Sequence, residues 1–250
     1  MMRPEMSVQL YTVRDRLAAD PEGTIAALAG LGFTAVEPYG LPDLPEAARA
    51  AIAAHGLTTP TAHGSILSRT DETLAAASAL GVRTIIEPYQ DPARFADRAG
   101  VSAVAAELNA AAAAAAAHGI AVGYHNHDAE LRGSVDGLAP LLLLAELTDP
   151  SVVFELDAYW AAVAGVDGAA IATALGDRLV AVHVKDGDPA GGIDAQVPAG
   201  LGLVPLAAVL AAAPHARPVV EFDIVPGEGW DAIAASAGFV AALVAEEGAR

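Results

Sequence analysis

Eight short runs of β-branched and apolar residues, each followed by a turn and a helix-like stretch, constrain this chain more than any other feature. They cover residues 6–10, 34–38, 58–63, 83–87, 120–125, 151–157, 179–185 and 217–223. Strands alternating with helices predict a parallel sheet, and eight such units predict a closed (β/α)8 TIM barrel, an α/β fold. The 250 residues give about 31 per unit, the size of one such barrel. No Pro/Gly/Ser-rich linker interrupts the alternation, so a single domain over 1–250 is expected.

The helices are marked by their ends. Asp20-Pro21-Glu22 offers an N-cap, a proline in the first turn and an acidic start, and Gly32 is the stop. Pro45 opens the next helix, which ends near His55-Gly56, and Thr70-Asp71-Glu72 opens a third ending at Gly81. A long fourth segment, about 92–118, is expected to break near Gly100 with a new N-cap at Ser102. Its alanine run, 110–117, reads as helix because alanine has the best helix propensity, and Gly119 caps it. Ser134, Val166-Asp167, the stretch after Gly202, and Gly229-Trp230-Asp231 start the remaining helices. The segment 187–202, rich in Gly, Pro and Asp, predicts one long irregular loop on the catalytic face, where a lid or substrate loop belongs.

Composition narrows the chemistry. Roughly a quarter of the residues are alanine, far above average usage, so the barrel interior is expected to come from the Val, Ile and Leu of the strands. A formal charge of −18 disfavours nucleic acid as a partner, because that affinity rests on Lys and Arg. With no cysteine there is neither a disulfide framework nor a thiolate metal site nor a cysteine nucleophile. The N-terminal MMRPEM runs straight into a strand without a signal-peptide core, and no apolar stretch reads as a membrane span. A cytoplasmic protein with no membrane partner is the expectation; homo-oligomerisation is left open.

The residues that carry chemistry lie at strand ends. Barrel active sites are built there, so Asp157, His183 and Glu221, at the ends of runs six, seven and eight, are natural metal ligands. Period-two alternation places Glu155 with Asp157, His183 with Lys185, Glu221 with Asp223, and His125 with His127 on common faces. Acceptor-type side chains gathered in this way stay unsatisfied without a cation. Lys185 is a candidate general acid or carbonyl-polarising group, or else the ion-pair partner of Asp157 or Glu155. Catalytic candidates are thus Glu221, Lys185 and His127. Trp160 offers a face for a sugar ring, and His63 and Glu37 at the ends of runs three and two are expected on the polar rim as substrate contacts.

Four phrases carry a likeness to a known family: Val8-Gln9-Leu10-Tyr11-Thr12-Val13-Arg14-Asp15, Gly123-Tyr124-His125-Asn126-His127-Asp128, Glu155-Leu156-Asp157-Ala158-Tyr159-Trp160 and His183-Val184-Lys185-Asp186. They resemble, in order and across the whole chain, the sugar phosphate isomerase/epimerase family with the xylose-isomerase-like barrel, notably its Tyr-His-Asn-His members that resemble inosose dehydratase and keto-sugar processing enzymes. The resemblance implies one divalent cation held by Glu, Asp, His and Glu from strands five to eight. Asp157, His183 and Glu221 match the last three positions, and His125 stands where the strand-five Glu would be. A site of His125, Asp157, His183 and Glu221 around M2+ carries no net charge and a softer donor set, which favours Mn2+ first, then Co2+, Zn2+ or Fe2+, over Mg2+. Glu130, just downstream, is the alternative fourth ligand or a substrate contact.

The implied activity is isomerisation or epimerisation of a ketose, cyclitol or keto-sugar through an enediolate. Expulsion of a β-substituent from the same intermediate gives the alternative, a dehydratase or lyase acting on an inosose or 3-keto-glycoside. A non-catalytic sugar-binding barrel with a degenerate site is the rival from another class. Endonuclease IV-type enzymes share the barrel but use three metals and a basic groove, at odds with the acidic charge. No phosphate cradle is evident: Ala190-Gly191-Gly192 lacks the strand-to-helix context and trailing Lys-Ser/Thr of a P-loop.

Overall fold

The computed structural model describes residues 5–225, 227 and 229–248; the ends of the expected 1–250 domain, including most of MMRPEM, lie outside the described residues. Eight parallel strands form the sheet: β1 (Ser7–Gln9), β2 (Ala35–Glu37), β3 (Thr61–His63), β4 (Thr84–Glu87), β5 (Ala121–His125), β6 (Val153–Asp157), β7 (Leu179–Val184) and β8 (Arg217–Val220). Seven neighbouring pairs are laddered in the order β2-β1-β8-β7-β6-β5-β4-β3. Main-chain bonds from Val36 to Thr58, His63 to Pro38 and Leu41 to His63 join β2 to β3. The ring is therefore closed, a single-domain TIM barrel as the alternation predicts.

The barrel lumen corrects the expectation from composition. Val8, Val36, Ile85, Val122, Phe154, Leu156, Val182, Val184 and Val220 belong to the apolar layer between sheet and helices. The lumen instead holds Gln9, Glu37, Thr61, His63, His125, Glu155 and His183: His63–Glu155 and His183–Glu37 bonds cross between strands that are not neighbours, and Gln9, Thr61 and His125 bond to the same two carboxylates. Side-chain alternation explains the split: once one polar residue of a strand faces inward, its apolar neighbours must face the helices. At Gly123 on β5 a side chain is excluded, since a Cβ there would lie 2.6 Å from Ile86 Cδ1.

The helix signals hold with three exceptions. Asp20 caps Pro21–Gly30 and Gly81 ends Thr70–Leu80 with positive φ. The break in the fourth segment comes earlier than expected: Pro92–Phe95 is a 3-10 turn, Asp97 is the N-cap, and Arg98–Ala116 runs unbroken through Gly100 and Ser102. Gly100 is a close-approach residue, as its Cβ would sit 2.3 Å from Arg94 O. That helix is also long and apolar enough to cross a membrane by composition, contrary to expectation, but Val101, Val104, Leu108 and Ala115 bury one face of it against the barrel. The fifth helix begins at Pro140 rather than at Ser134. Finally, a short helix, Ala158–Val163, follows β6 directly.

The segment after β7 is less irregular than its composition suggests. Asp186–Gly187 pairs antiparallel with Gln196–Val197 around a 3-10 turn. The Asp186 carboxylate accepts from the N–H groups of Gly187, Gly200, Gly202 and Val204 at 2.8–3.1 Å, and Tyr159 donates to Asp188 O and Gly192 O.

Candidate active site

The floor of the mouth is a network of histidines and carboxylates. Glu155 Oε2, contributed by β6, accepts from His63 Nε2 at 2.6 Å and His125 Nδ1 at 3.0 Å, and lies 3.1 Å from His183 Nε2. Glu37 Oε1 accepts from Gln9 Nε2 at 2.7 Å and from His183 Nε2 at 3.0 Å, and Thr61 donates to its other oxygen. Glu37 is thus fully buried beneath His183 rather than on the rim, and His63 lies at the cavity floor. Burial and the neighbouring Glu155 raise the Glu37 carboxyl. Burial also opposes the Glu155 charge, but the surrounding His183 and His63 hold it well below the ordinary range.

One layer higher are the ligands expected from the sequence. Asp157 pairs in register with His183, and His183 with Val219, so Glu221 stands about one pleat above. Asp157 Oδ1 caps the helix after β6 by accepting from Trp160 N at 2.9 Å. Its Oδ2, His183 Nδ1 and Glu221 Oε2 are buried without hydrogen-bond partners. His183 Nδ1 lies 3.8 Å from Asp157 Oδ2 and 3.9 Å from Glu221 Oε2. Two donors each about 2.1 Å from one ion stand roughly 3–4 Å apart, so three orphaned donors converge at a spacing that suits a divalent cation. His125 Nε2, 3.9 Å from Asp157 Oδ2, groups instead with His63, Glu155 and His183, so the donors that converge on this centre are Asp157, His183 and Glu221. This group can hold a metal ion.

Lys185 shares that space. Its Nζ is 2.9 Å from Asp157 Oδ2, 2.8 Å from Asp223 Oδ2, and in contact with Glu221 Oε2. Burial disfavours its charge, but the three carboxylates outweigh it and hold the ammonium well above its ordinary range. The expected pairing with Asp157 is present; that with Glu155 is not among the ion pairs Lys185 makes. Burial raises Glu221 to about 7 against the opposing pull of Lys185, which suits a general base near neutrality. For His125 and His127, burial pushes the imidazoles down, keeping them neutral.

A cavity of about 290 Å3 opens above these groups, lined by His63, His125, His127, His183, Lys185, Glu221 and Asp223, with Gln9, Tyr11, Tyr39 and Tyr89 as walls. Tyr89 packs edge-on against His127, as Tyr39 does against Tyr11. Trp160 stacks behind His127 and beside Lys185 Nζ rather than lining the space. Glu130 does not join the site either: it accepts from Tyr124 Oη at 2.6 Å and His127 N at 2.9 Å, bracing the turn after β5. The loop 187–202 contributes no described wall, yet Gln196 anchors Asp223 by bonds to its carboxylate and its N–H. Gln9 and Tyr11 were legible as period-two partners in the first motif but carried no signal of a role.

Residues 25–224 match the family pattern described as the xylose isomerase-like TIM barrel. The chain belongs to that family. Among solved structures this barrel is similar to a sugar phosphate isomerase/epimerase from Parabacteroides distasonis, with 21% identity, 96% of this chain and 94% of that one covered, and a TM-score of 0.80. It is also similar to a D-allulose 3-epimerase from Methylomonas sp. in complex with D-allulose, with 19% identity, coverage of 97% and 98%, and a TM-score of 0.72. A third is a xylose isomerase-like TIM barrel protein from Mycobacterium smegmatis in complex with magnesium, with 12% identity, 97% coverage of both chains and a TM-score of 0.68. No curated protein matches the chain.

Proposed function

We propose that this barrel is a divalent-metal-dependent sugar isomerase/epimerase acting on a ketose, cyclitol or keto-sugar through an enediolate. The observation that carries the reading is the convergence of Asp157 Oδ2, His183 Nδ1 and Glu221 Oε2 below an open cavity, all three buried without a hydrogen bond and the two carboxylate oxygens facing only the Lys185 ammonium as counter-charge. His125 would complete the ligand set, and Mn2+ suits its mixture of imidazole and carboxylate donors, with Co2+, Zn2+ and Fe2+ as alternatives. When bound, such an ion supplies Lewis-acid stabilisation to vicinal substrate oxygens.

The chain's own groups handle the protons. Glu221, raised to about 7, removes the proton α to the substrate carbonyl, and Lys185 Nζ donates a hydrogen bond to the oxygen on which charge develops. β5 and β8 lie three strands apart in the ring, so His127 faces Glu221 across the mouth, where its neutral imidazole can hydrogen-bond a substrate hydroxyl while the proton returned on the other side comes from solvent. Among the described residues the cavity lining includes no arginine, and Lys185 is held by three carboxylates, which supports an unphosphorylated substrate. If a β-substituent leaves instead of a proton returning, the same residues give the lyase outcome.

The test is solvent exchange. With Mn2+ and a panel of ketoses, inososes and 3-keto-glycosides in D2O, the substrate or product should acquire carbon-bound deuterium, seen by NMR. Product formed in the isomerising direction without deuterium would mean hydride transfer and would refute the enediolate.

A further inference from the structure

We propose that Glu155 is a positioning residue that sets the ring tautomers of His125 and His183, so that one nitrogen of each is turned toward the cation centre. This rests on the metal-site reading above. One oxygen, Glu155 Oε2, lies within hydrogen-bond distance of imidazole nitrogens from three strands: His63 on β3, His125 on β5 and His183 on β7. A carboxylate oxygen accepts and cannot donate, so the nitrogen of each ring that faces it must carry the proton. For His125 that is Nδ1 and for His183 it is Nε2.

The consequence lies on the far side of each ring. His125 Nε2 and His183 Nδ1 are the nitrogens left to present lone pairs, and both face Asp157 Oδ2, at 3.9 Å and 3.8 Å. The two rings use opposite nitrogens because they approach from opposite sides of β6, whose own Glu155 and Asp157 are two residues apart on one face. One strand therefore contributes both the carboxylate that would hold the ion and the carboxylate that turns its imidazole neighbours. Glu37 Oε1 takes the hydrogen bond of His183 Nε2 at 3.0 Å and shares the fixing of that ring with Glu155, whereas His125 Nδ1 has Glu155 as its acceptor. Carboxylates behind ligating histidines fix orientation and tautomer in this manner, and their loss costs roughly 10- to 100-fold in metal affinity.

The experiment uses Zn2+ alone on the full chain, comparing wild type, Glu155→Met and Glu155→Gln. Methionine preserves the volume and removes the acceptor; glutamine keeps an amide oxygen that can accept the same bonds. Long-range 1H–15N correlation of the Zn2+-loaded wild type should show Nδ1–H on His125 and Nε2–H on His183, with the other nitrogen of each shifted by the metal. Glu155→Met should lose the His125 Nδ1–H assignment, with His183 Nε2–H retained by Glu37, and bind Zn2+ roughly 10- to 100-fold more weakly, while Glu155→Gln stays near wild type in both. If Glu155→Met does not fold, the wild-type tautomers and the Glu155→Gln comparison still decide the matter. Opposite tautomers in the wild type, or unchanged tautomers and affinity in Glu155→Met, would overturn this inference while leaving the metal site standing. A wild type that takes up no Zn2+, Mn2+ or Co2+ would instead remove the reading beneath it.

Discussion

Lys185→Met should tighten metal binding, although it deletes a residue at the heart of the site. Lys185 Nζ is 2.9 Å from Asp157 Oδ2, and an ion bonded to that oxygen at about 2.1 Å could then be at most about 5 Å from the ammonium. A single and a double positive charge at that separation repel by about 6–7 kcal/mol at an effective dielectric constant near 20. The ammonium relieves most of this by withdrawing toward Asp223, which it already reaches at 2.8 Å, so only a residue of the repulsion is felt on binding. We expect Mn2+ or Zn2+ to bind Lys185→Met at least about tenfold more tightly, or about 1.4 kcal/mol. Without metal the variant should be less stable by about 3–5 kcal/mol, since Asp157, Glu221 and Asp223 lose their buried counter-charge. Calorimetric titration and thermal unfolding with and without metal read both effects, and the rise in Tm on adding metal should exceed that of the wild type. Weaker metal binding by Lys185→Met at unchanged stoichiometry would refute the reasoning, because the ammonium would then be helping to assemble the site.

His183→Ala should reduce the metal content from about one ion per chain to none, measured by elemental analysis after reloading with Mn2+. His125→Ala should weaken Mn2+ binding by about tenfold or more, and His125→Glu should restore it with a shift toward Mg2+; isotherms for both ions check this, and unchanged affinity in His125→Ala would remove it from the ligand set. Glu221→Gln should cut turnover about 10²–10⁴-fold, the range expected on losing a general base, with deuterium wash-in falling in parallel. Tyr124→Phe removes the hydroxyl that Glu130 accepts from, at a cost of about 1–3 kcal/mol in urea unfolding, with metal affinity unchanged; a tenfold loss of affinity would place Glu130 in the site after all.

The strand rhythm and the gathering of Asp157, His183 and Glu221 were legible because both rest on period-two alternation and on the rule that barrel chemistry gathers at strand ends. The depth of each residue was not. Glu37 and His63 end their strands just as Asp157 does, yet Glu37 is beneath the site and His63 at its floor, because inclined strands place equivalent sequence positions at different heights. The polar lumen escaped notice for a related reason: alternation says which residues share a face but not which face is inward, and the valines and isoleucines were assigned to the wrong one. Ser134 misled as a helix start because serine serves loops as readily as caps. Asp157 also caps the helix after β6, a role its place at a strand end did not announce, and only its second oxygen faces Lys185 and the histidines.

The histidine at position 125 and the lysine at position 185 follow from one requirement. In the state that binds an ion, with Asp157, Glu221 and Asp223 ionised, Lys185 charged and His125 and His183 neutral, −3 + 1 leaves −2, which a divalent ion brings to zero. A glutamate at position 125 would leave the loaded site at −1 within a wall of tyrosines and buried imidazoles, where an uncompensated charge is costly. Conversely, His125 without Lys185 would also leave −1, through Asp223. The histidine on β5 and the lysine on β7 are thus coupled: each makes the other tolerable, and together they give a centre that is neutral when it holds its ion. Such a centre has no electrostatic reason to prefer a phosphorylated sugar over a neutral one, and the absence of arginine from the cavity lining among the described residues points the same way. The coupling is measurable as non-additivity. His125→Glu and Lys185→Met should each tighten M2+ binding relative to His125→Ala and wild type respectively, but the double variant, holding −4 before the ion enters, should lose more apo stability than the sum of the two single changes. Additive losses in unfolding free energy, within about 0.5 kcal/mol, would show that the two positions do not sense one another.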